Sequence, residues 1–181
     1  MEPIPNDRRY ISVKLLGFPV LLHWTFPATG FGIGFAVAIL FVTTSVALSA
    51  QVFFWTTAAV ILLVLAHEFG HAMAARRLSL DLVAIVIAHV GGRCFVATQP
   101  SPREDLLFSA AGLLVQTGIL LMTLVWLWLL GPPTSLPMKC VVIVFTGGNI
   151  LLMAINLVPH QGNDGARIIS ALRALWLAPR T

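Results

Sequence analysis

The chain reads as an all-α polytopic membrane protein: about four transmembrane helices, with a small β-hairpin or edge sheet near the cytoplasmic side. Three observations predict this. Of its 181 residues, 58% are hydrophobic and 10% charged, whereas a soluble domain carries about 25% charged residues. Residues 17–66 contain no Asp, Glu, Lys or Arg, as expected where a charge would meet lipid. Residues 82–97 break the helical pattern with a β-branched run, a Gly91-Gly92 pair and a second short run, the signature of two paired strands.

One compact domain over residues 1–181 fits this length. It divides into a cytoplasmic or interfacial lead (1–29), a core (30–165) and a C-terminal amphipathic helix (166–181). The two cysteines, Cys94 and Cys140, form no CxxC, so neither a disulfide framework nor a cysteine metal site is supported. The net charge of +4 is small, and no aromatic-plus-basic patch points to nucleic acid. Residues 1–14 carry charges of both signs, and the apolar stretch after them is too long for a removable signal, so the N-terminus is read as retained.

In chain order, residues 1–9 form an irregular lead. Ile11, Val13 and Leu15 alternate with Ser12 and Lys14, a weak strand signal. Residues 20–26 are either a second short strand or an interfacial segment, closed by Pro27. The first membrane helix is placed at 30–48, where Gly30, Gly32 and Gly34 are either a packing face or simply tolerated. A short turn at 49–51 leads to the second helix, 52–78. The hairpin follows, with Gly91-Gly92 as its turn. Pro102-Arg103-Glu104-Asp105 opens a helix with acids in its first turn, and the third span is 106–130. A turn at 131–137 precedes the fourth span, 141–158, which Pro159 ends. Residues 160–165 are extended or looped, and 166–177 form the short amphipathic helix.

Charge sets the expected topology. Of eleven Lys and Arg, Arg8, Arg9, Lys14, Arg76, Arg77, Arg93, Arg103, Arg167, Arg173 and Arg180 fall on one side of these spans and only Lys139 on the other. By the positive-inside rule both termini and the hairpin are cytoplasmic.

The second helix carries His67-Glu68-Phe69-Gly70-His71. Four residues apart on a helix, His67 and His71 share one face and can bind a single zinc ion, with Glu68 as general base. Ionisable groups in a membrane helix cost roughly 2.5 to 3.5 kcal/mol each on insertion scales and mark function. Residues 52–66 would span roughly 22 Å at the helical rise, which leaves His67 submerged below the midplane. A catalytic zinc site needs a third protein ligand. Asp164 is the candidate, because it follows the fourth span at the end to which the second span also descends. His23, His89 and His160 read as interfacial or structural.

With these residues in view, the chain resembles a known family. His67-Glu68-Phe69-Gly70-His71, together with residues 156–165 (Asn156-Leu157-Val158-Pro159-His160-Gln161-Gly162-Asn163-Asp164-Gly165), is similar to the paired signature of the site-2 proteases, intramembrane zinc metalloproteases. Gly91-Gly92 matches the family's glycine turn, and residues 111–116 stand where Ala-Gly-Pro-x-x-Asn is usual, with Leu113 for Pro and Gln116 for Asn. Ala166 stands where a second Gly is common. The resemblance covers roughly residues 16–173 and is to a minimal form without a PDZ or CBS module.

It implies one Zn2+ held by His67, His71 and Asp164, with Glu68 activating water. It also implies a transmembrane protein substrate cut within or near its span in regulated intramembrane proteolysis, in a multi-pass protein of a prokaryotic cell membrane. The lipid bilayer and a regulatory membrane partner complete the expected surroundings. Asn156, Gln116, Gly91 and Gly92 are the expected site-lining or substrate-binding residues, with helix packing the alternative for Asn156 and Gln116. The rival reading, motivated by Leu113 and Gln116, is a catalytically impaired homologue that binds membrane helices without cleaving them. A zinc carrier is a further rival, but it would need several ligand-rich sites where the sequence offers one.

Overall fold

The computed structural model describes residues 9–41, 45–89 and 91–177. Two strands come first, β1 (Tyr10–Leu15) and β2 (Phe18–His23). They pair antiparallel through Leu15 and Phe18. Leu16 and Gly17 make the two-residue turn with φ of 50° and 89°, the backbone twist that a tight hairpin selects. Leucine is unusual there, which is why the sequence signal was weak. The lead's residues 1–8 lie outside the described residues, as do Arg8 and Arg180.

Helix α1 (Thr25–Leu40) and helix α2 (Val46–Arg77) follow. They form the crossover that a parallel strand pair requires: β2 pairs parallel with β3 (Leu82–Ala88), aligning Val20 with Ile85. Strand β4 (Gly91–Val96) closes an antiparallel hairpin with β3, giving one four-stranded sheet in the order β1-β2-β3-β4. The expected hairpin is therefore half of a larger sheet. Its turn also lies earlier than Gly91-Gly92: Ala88 pairs with Gly91, so both glycines belong to β4, and His89, with φ of 54°, takes the left-handed turn position.

The first expected helix, 30–48, is divided differently. Helix α1 starts before Pro27, and α2 already begins at Val46 because the Ser45 side chain caps it by accepting from the Leu48 N–H. Residues 49–51, expected as a turn, are helical. Against the expectation of about four spans, three helices are long and apolar enough to cross a membrane among the described residues: Val46–Arg77, Pro102–Leu130 and Leu136–Leu157. Helix α1 has 16 residues, about 24 Å at the helical rise, and falls short of a hydrocarbon core of about 30 Å.

Helix α3 (Pro102–Leu130) begins with a full capping box: Ser101 accepts from the Glu104 N–H, and Glu104 reaches back to the Ser101 N–H. The fourth expected span runs as α4 (Leu136–Ile143), a π-helical turn (Val144–Gly148) and α5 (Asn149–Leu157). Helix α6 (Asp164–Leu177) starts two residues earlier than expected.

The sheet lies where α1 begins, α2 ends and α3 begins. Val20, Ile85 and Ile87 from the sheet, Val64 and Ala72 from α2 and Phe108 from α3 form one buried core there. This joint core fixes β4 against the middle of α2, which decides what faces the His pair.

Candidate functional site

The ligand candidates come from two separated pieces of chain. His67 and His71 lie on consecutive turns of α2, and Asp164 is the first residue of α6. The fold brings them together. His67 Nε2 and His71 Nε2 are 3.2 Å apart, and each is 3.2 Å from Asp164 Oδ2. Both histidines are buried, at 5% and 4% exposure. Bonds of about 2.0 to 2.1 Å to a tetrahedral zinc place its ligand atoms about 3.3 Å from one another. The observed triangle therefore has the size of one face of such a tetrahedron.

The other face of each imidazole is fixed. His67 Nδ1 donates to Gln116 Oε1 at 2.9 Å, and His71 Nδ1 donates to the Phe108 carbonyl at 2.7 Å. With Nδ1 protonated, each Nε2 presents a lone pair. Two lone pairs and a carboxylate oxygen then meet at one point. Beyond the two imidazoles, the described residues give the buried Asp164 Oδ2 no hydrogen-bond partner. A proton would answer one of these contacts; a metal cation answers all three. Burial alone would raise the Asp164 carboxyl, but where an imidazole also takes up a proton on Nε2, its hydrogen bond and its charge hold the carboxyl at about 2. It is an anionic donor near neutral pH.

Glu68 is 3% exposed and turns from the helix toward β4. The Gly92 backbone N–H donates to its carboxylate. A Cβ on Gly92 would lie 2.6 Å from Glu68 Cγ and 2.7 Å from Oε1, so the carboxylate occupies the space that a side chain would fill. Cys94 donates its thiol to the Glu68 carbonyl at 3.5 Å, with Oε2 at 3.9 Å. Burial, together with the nearby Glu68 and Asp164 carboxylates, pushes the Cys94 thiol well up, so it remains a protonated donor.

A cavity of about 280 Å³ opens onto these groups, lined also by Gly91, Arg93, Asn156 and Arg167. Asn156 Nδ2 lies 3.3 Å from His67 Nε2. Asn156 thus faces the site. Gln116 does not line the cavity: it is fully buried behind His67 and orients it. Gly91 borders the cavity without touching the acid, while Gly92 packs on it. Gly112 makes room for the two imidazoles, since a Cβ there would meet His71 Nε2 at 2.5 Å and His67 Cε1 at 2.6 Å.

Sequence reasoning gave Phe108, Cys94 and Asn149 no role at the site. Asn149 is fully buried, and its Nδ2 donates to the Gln116 carbonyl at 2.9 Å. A buried amide inside an apolar helix was a usable signal for it. Nothing in the chain marks a phenylalanine carbonyl as a partner.

No family model matches the sequence. A curated zinc metalloprotease of Methanocaldococcus jannaschii is 27% identical over 168 residues, which cover 88% of this chain and 44% of that protein. The chain thus spans less than half the length of the curated relative it matches. Among solved structures, a site-2 protease from the same organism superposes with a TM-score of 0.63 at 22% identity, covering 93% of this chain and 74% of the other. By sequence the chain is thus similar to a zinc metalloprotease, and by fold it is similar to a site-2 protease.

Proposed function

We propose that this chain is an intramembrane zinc metalloprotease that hydrolyses peptide bonds within or near the transmembrane segments of other membrane proteins. The observation that carries the proposal is the 3.2 Å triangle of His67 Nε2, His71 Nε2 and Asp164 Oδ2, with Glu68 beside it on a helix long and apolar enough to cross a membrane. His67, His71 and Asp164 are the proposed zinc ligands. When bound, zinc acts as a Lewis acid toward the scissile carbonyl and makes a nucleophile of water near neutral pH.

Glu68 takes the proton of the attacking water and returns it to the leaving amide nitrogen. Gly92 and Cys94 hold its carboxylate from one side. The Asn156 amide is within reach of a substrate oxygen at the His67 face. Gln116 and the Phe108 carbonyl keep both imidazoles in the ligating tautomer, as second-layer partners of metal-bound histidines do. A substrate helix has its amides bonded internally and must unwind to be cut. The edge of β4 beside the cavity offers main-chain pairing to such an opened segment. The charge asymmetry of the loops supports cytoplasmic termini and a site reached from the cytoplasm, while the resemblance to the site-2 proteases is what supports a prokaryotic cell membrane and a regulatory membrane partner. Gln116, the departure that motivates the inactive-binder reading, still accepts a hydrogen bond from His67, so that reading loses one of its two supports.

The test is cleavage of a panel of single-span membrane proteins in liposomes by wild type and Glu68→Gln, with zinc measured in both. Cleavage by wild type alone, with about one zinc per chain in each, is the expected result. Zinc-loaded wild type that cuts none of the panel favours the inactive binder, and absence of zinc from both removes the ligand assignment.

A further inference from the structure

The third ligand candidate reaches the His pair only indirectly. His67 and His71 belong to α2, whereas α6, which carries Asp164, packs chiefly on α3. Whatever fixes α6 on α3 therefore sets the distance between the carboxylate and the imidazoles. Arg167 sits one turn after Asp164, three residues on and on the same face of α6. Its Nε donates to Asp105 Oδ1 at 3.0 Å, and its Nη2 donates to the same oxygen. Its guanidinium carbon lies 4.7 Å above the centre of the Phe108 ring. Asp105 and Phe108 are themselves three residues apart at the start of α3, and the Phe108 carbonyl accepts from His71 Nδ1.

The contacts close a ring: Asp164, one turn of α6, Arg167, Asp105 with Phe108, His71, and back to Asp164. The Arg167 and Asp105 side chains are only 34% and 23% exposed, a setting in which a forked ion pair stacked on an aromatic ring outweighs a solvated surface pair. We propose that the Arg167–Asp105 pair, seated on Phe108, is a positioning clamp that holds Asp164 at ligand distance from His67 and His71. Arg167 and Asp105 are positioning residues here. The clamp rests on the metal reading of the site, and it makes metal binding depend on the α3–α6 contact.

Full-length protein in detergent is tested with zinc alone, by chelator competition, and with cobalt, whose visible spectrum reports the ligand set. Wild type is compared with Asp164→Ala, Asp105→Asn, Arg167→Met, Arg167→Lys and the Asp105→Asn/Arg167→Met double variant. Asp105→Asn and Arg167→Met should each weaken zinc about 10- to 100-fold, the range typical of lost outer-layer partners. The double variant should be no weaker than the worse single, because both remove one interaction. Their cobalt spectra should move toward that of Asp164→Ala, and Arg167→Lys should recover part of both effects. Wild-type zinc affinity in the single variants overturns the clamp. So does weakened affinity with an unchanged cobalt spectrum, which would mark a general loss of packing. Should Arg167→Met not fold, Asp105→Asn and Arg167→Lys carry the same comparison. A wild type that binds no zinc overturns the metal reading itself, and the clamp with it.

Discussion

At the residue scale, one glycine makes room for Glu68 and another for the two histidines proposed as ligands. Gly92 leaves space for Glu68, and Gly112 leaves space for His67 and His71. Gly92→Ala is expected to displace Glu68, the proposed general base, and lower the cleavage rate by about 100-fold, the cost of misplacing a reacting group by about 1 Å, with zinc content unchanged. Gly112→Ala is expected to lower zinc affinity by at least about 10-fold, since its Cβ meets the ligand ring atoms. Measuring metal content and activity on both variants separates the two effects, and loss of zinc in Gly92→Ala would contradict the assignment. Gln116→Leu should also weaken zinc, by about 10- to 100-fold, because His67 Nδ1 would face an apolar wall. For Asp164 the sign with pH is definite. Its carboxyl is depressed from 3.8 to about 2, so the stability it contributes is present above pH of about 4 and is lost as pH falls through about 2. Thermal melts of Asp164→Asn should lack that acid limb.

At the scale of elements, helix contacts are set by where backbones approach closely. Helix α1 crosses α2 at Gly34, where a Cβ would meet the Phe53 carbonyl at 2.8 Å. Gly32, two residues away, has nothing within 4 Å of its Cβ position. Gly34→Leu should therefore lower the melting temperature through overpacking, typically about 1–3 kcal/mol, and Gly32→Leu should leave it unchanged. Equal effects would mean that α1 does not cross α2 at this face. Gly70 has the corresponding place between α2 and α3, where a Cβ would meet the Ala111 carbonyl at 2.8 Å. The π-helical turn at Val144–Gly148 is followed directly by Asn149, whose amide bonds to the Gln116 carbonyl. This connects the third long span to the residue that orients His67. Of the three glycines that the sequence left between a packing face and mere tolerance, Gly30 and Gly34 pack on α2 and Gly32 does not. The π turn was not readable in the sequence, because no residue pattern in Val144–Gly148 marks it.

For the whole molecule, the connectivity puts the sheet, α6 and, among the described residues, every Arg and Lys but Lys139 at one end, and the 131–135 loop at the other. Both native cysteines are buried, which leaves introduced ones to report sidedness. A cysteine at Ser135 should react with an impermeant maleimide added outside intact cells, and one at Ser79 only after permeabilisation. The reverse result would invert the orientation. The site lies between these ends on α2, His67 being ten residues before Arg77, or about 15 Å at the helical rise.

The sequence by itself determined the membrane class, the helix-bound His-Glu-His motif and the candidacy of Asp164. These depend on composition, on a four-residue spacing and on the scarcity of acids in an apolar chain, all of which are local quantities. Only the tertiary structure decided that the hairpin belongs to a four-stranded sheet, that Gly92 packs on Glu68, and that Gln116 stands behind His67 and not in the cavity. It also decided that Arg167 and Asp105, 62 residues apart, share a hydrogen bond. Each of these is a contact between segments distant in sequence. Such contacts follow from how α2, α3 and the sheet bury a common core, which no local pattern of residues encodes.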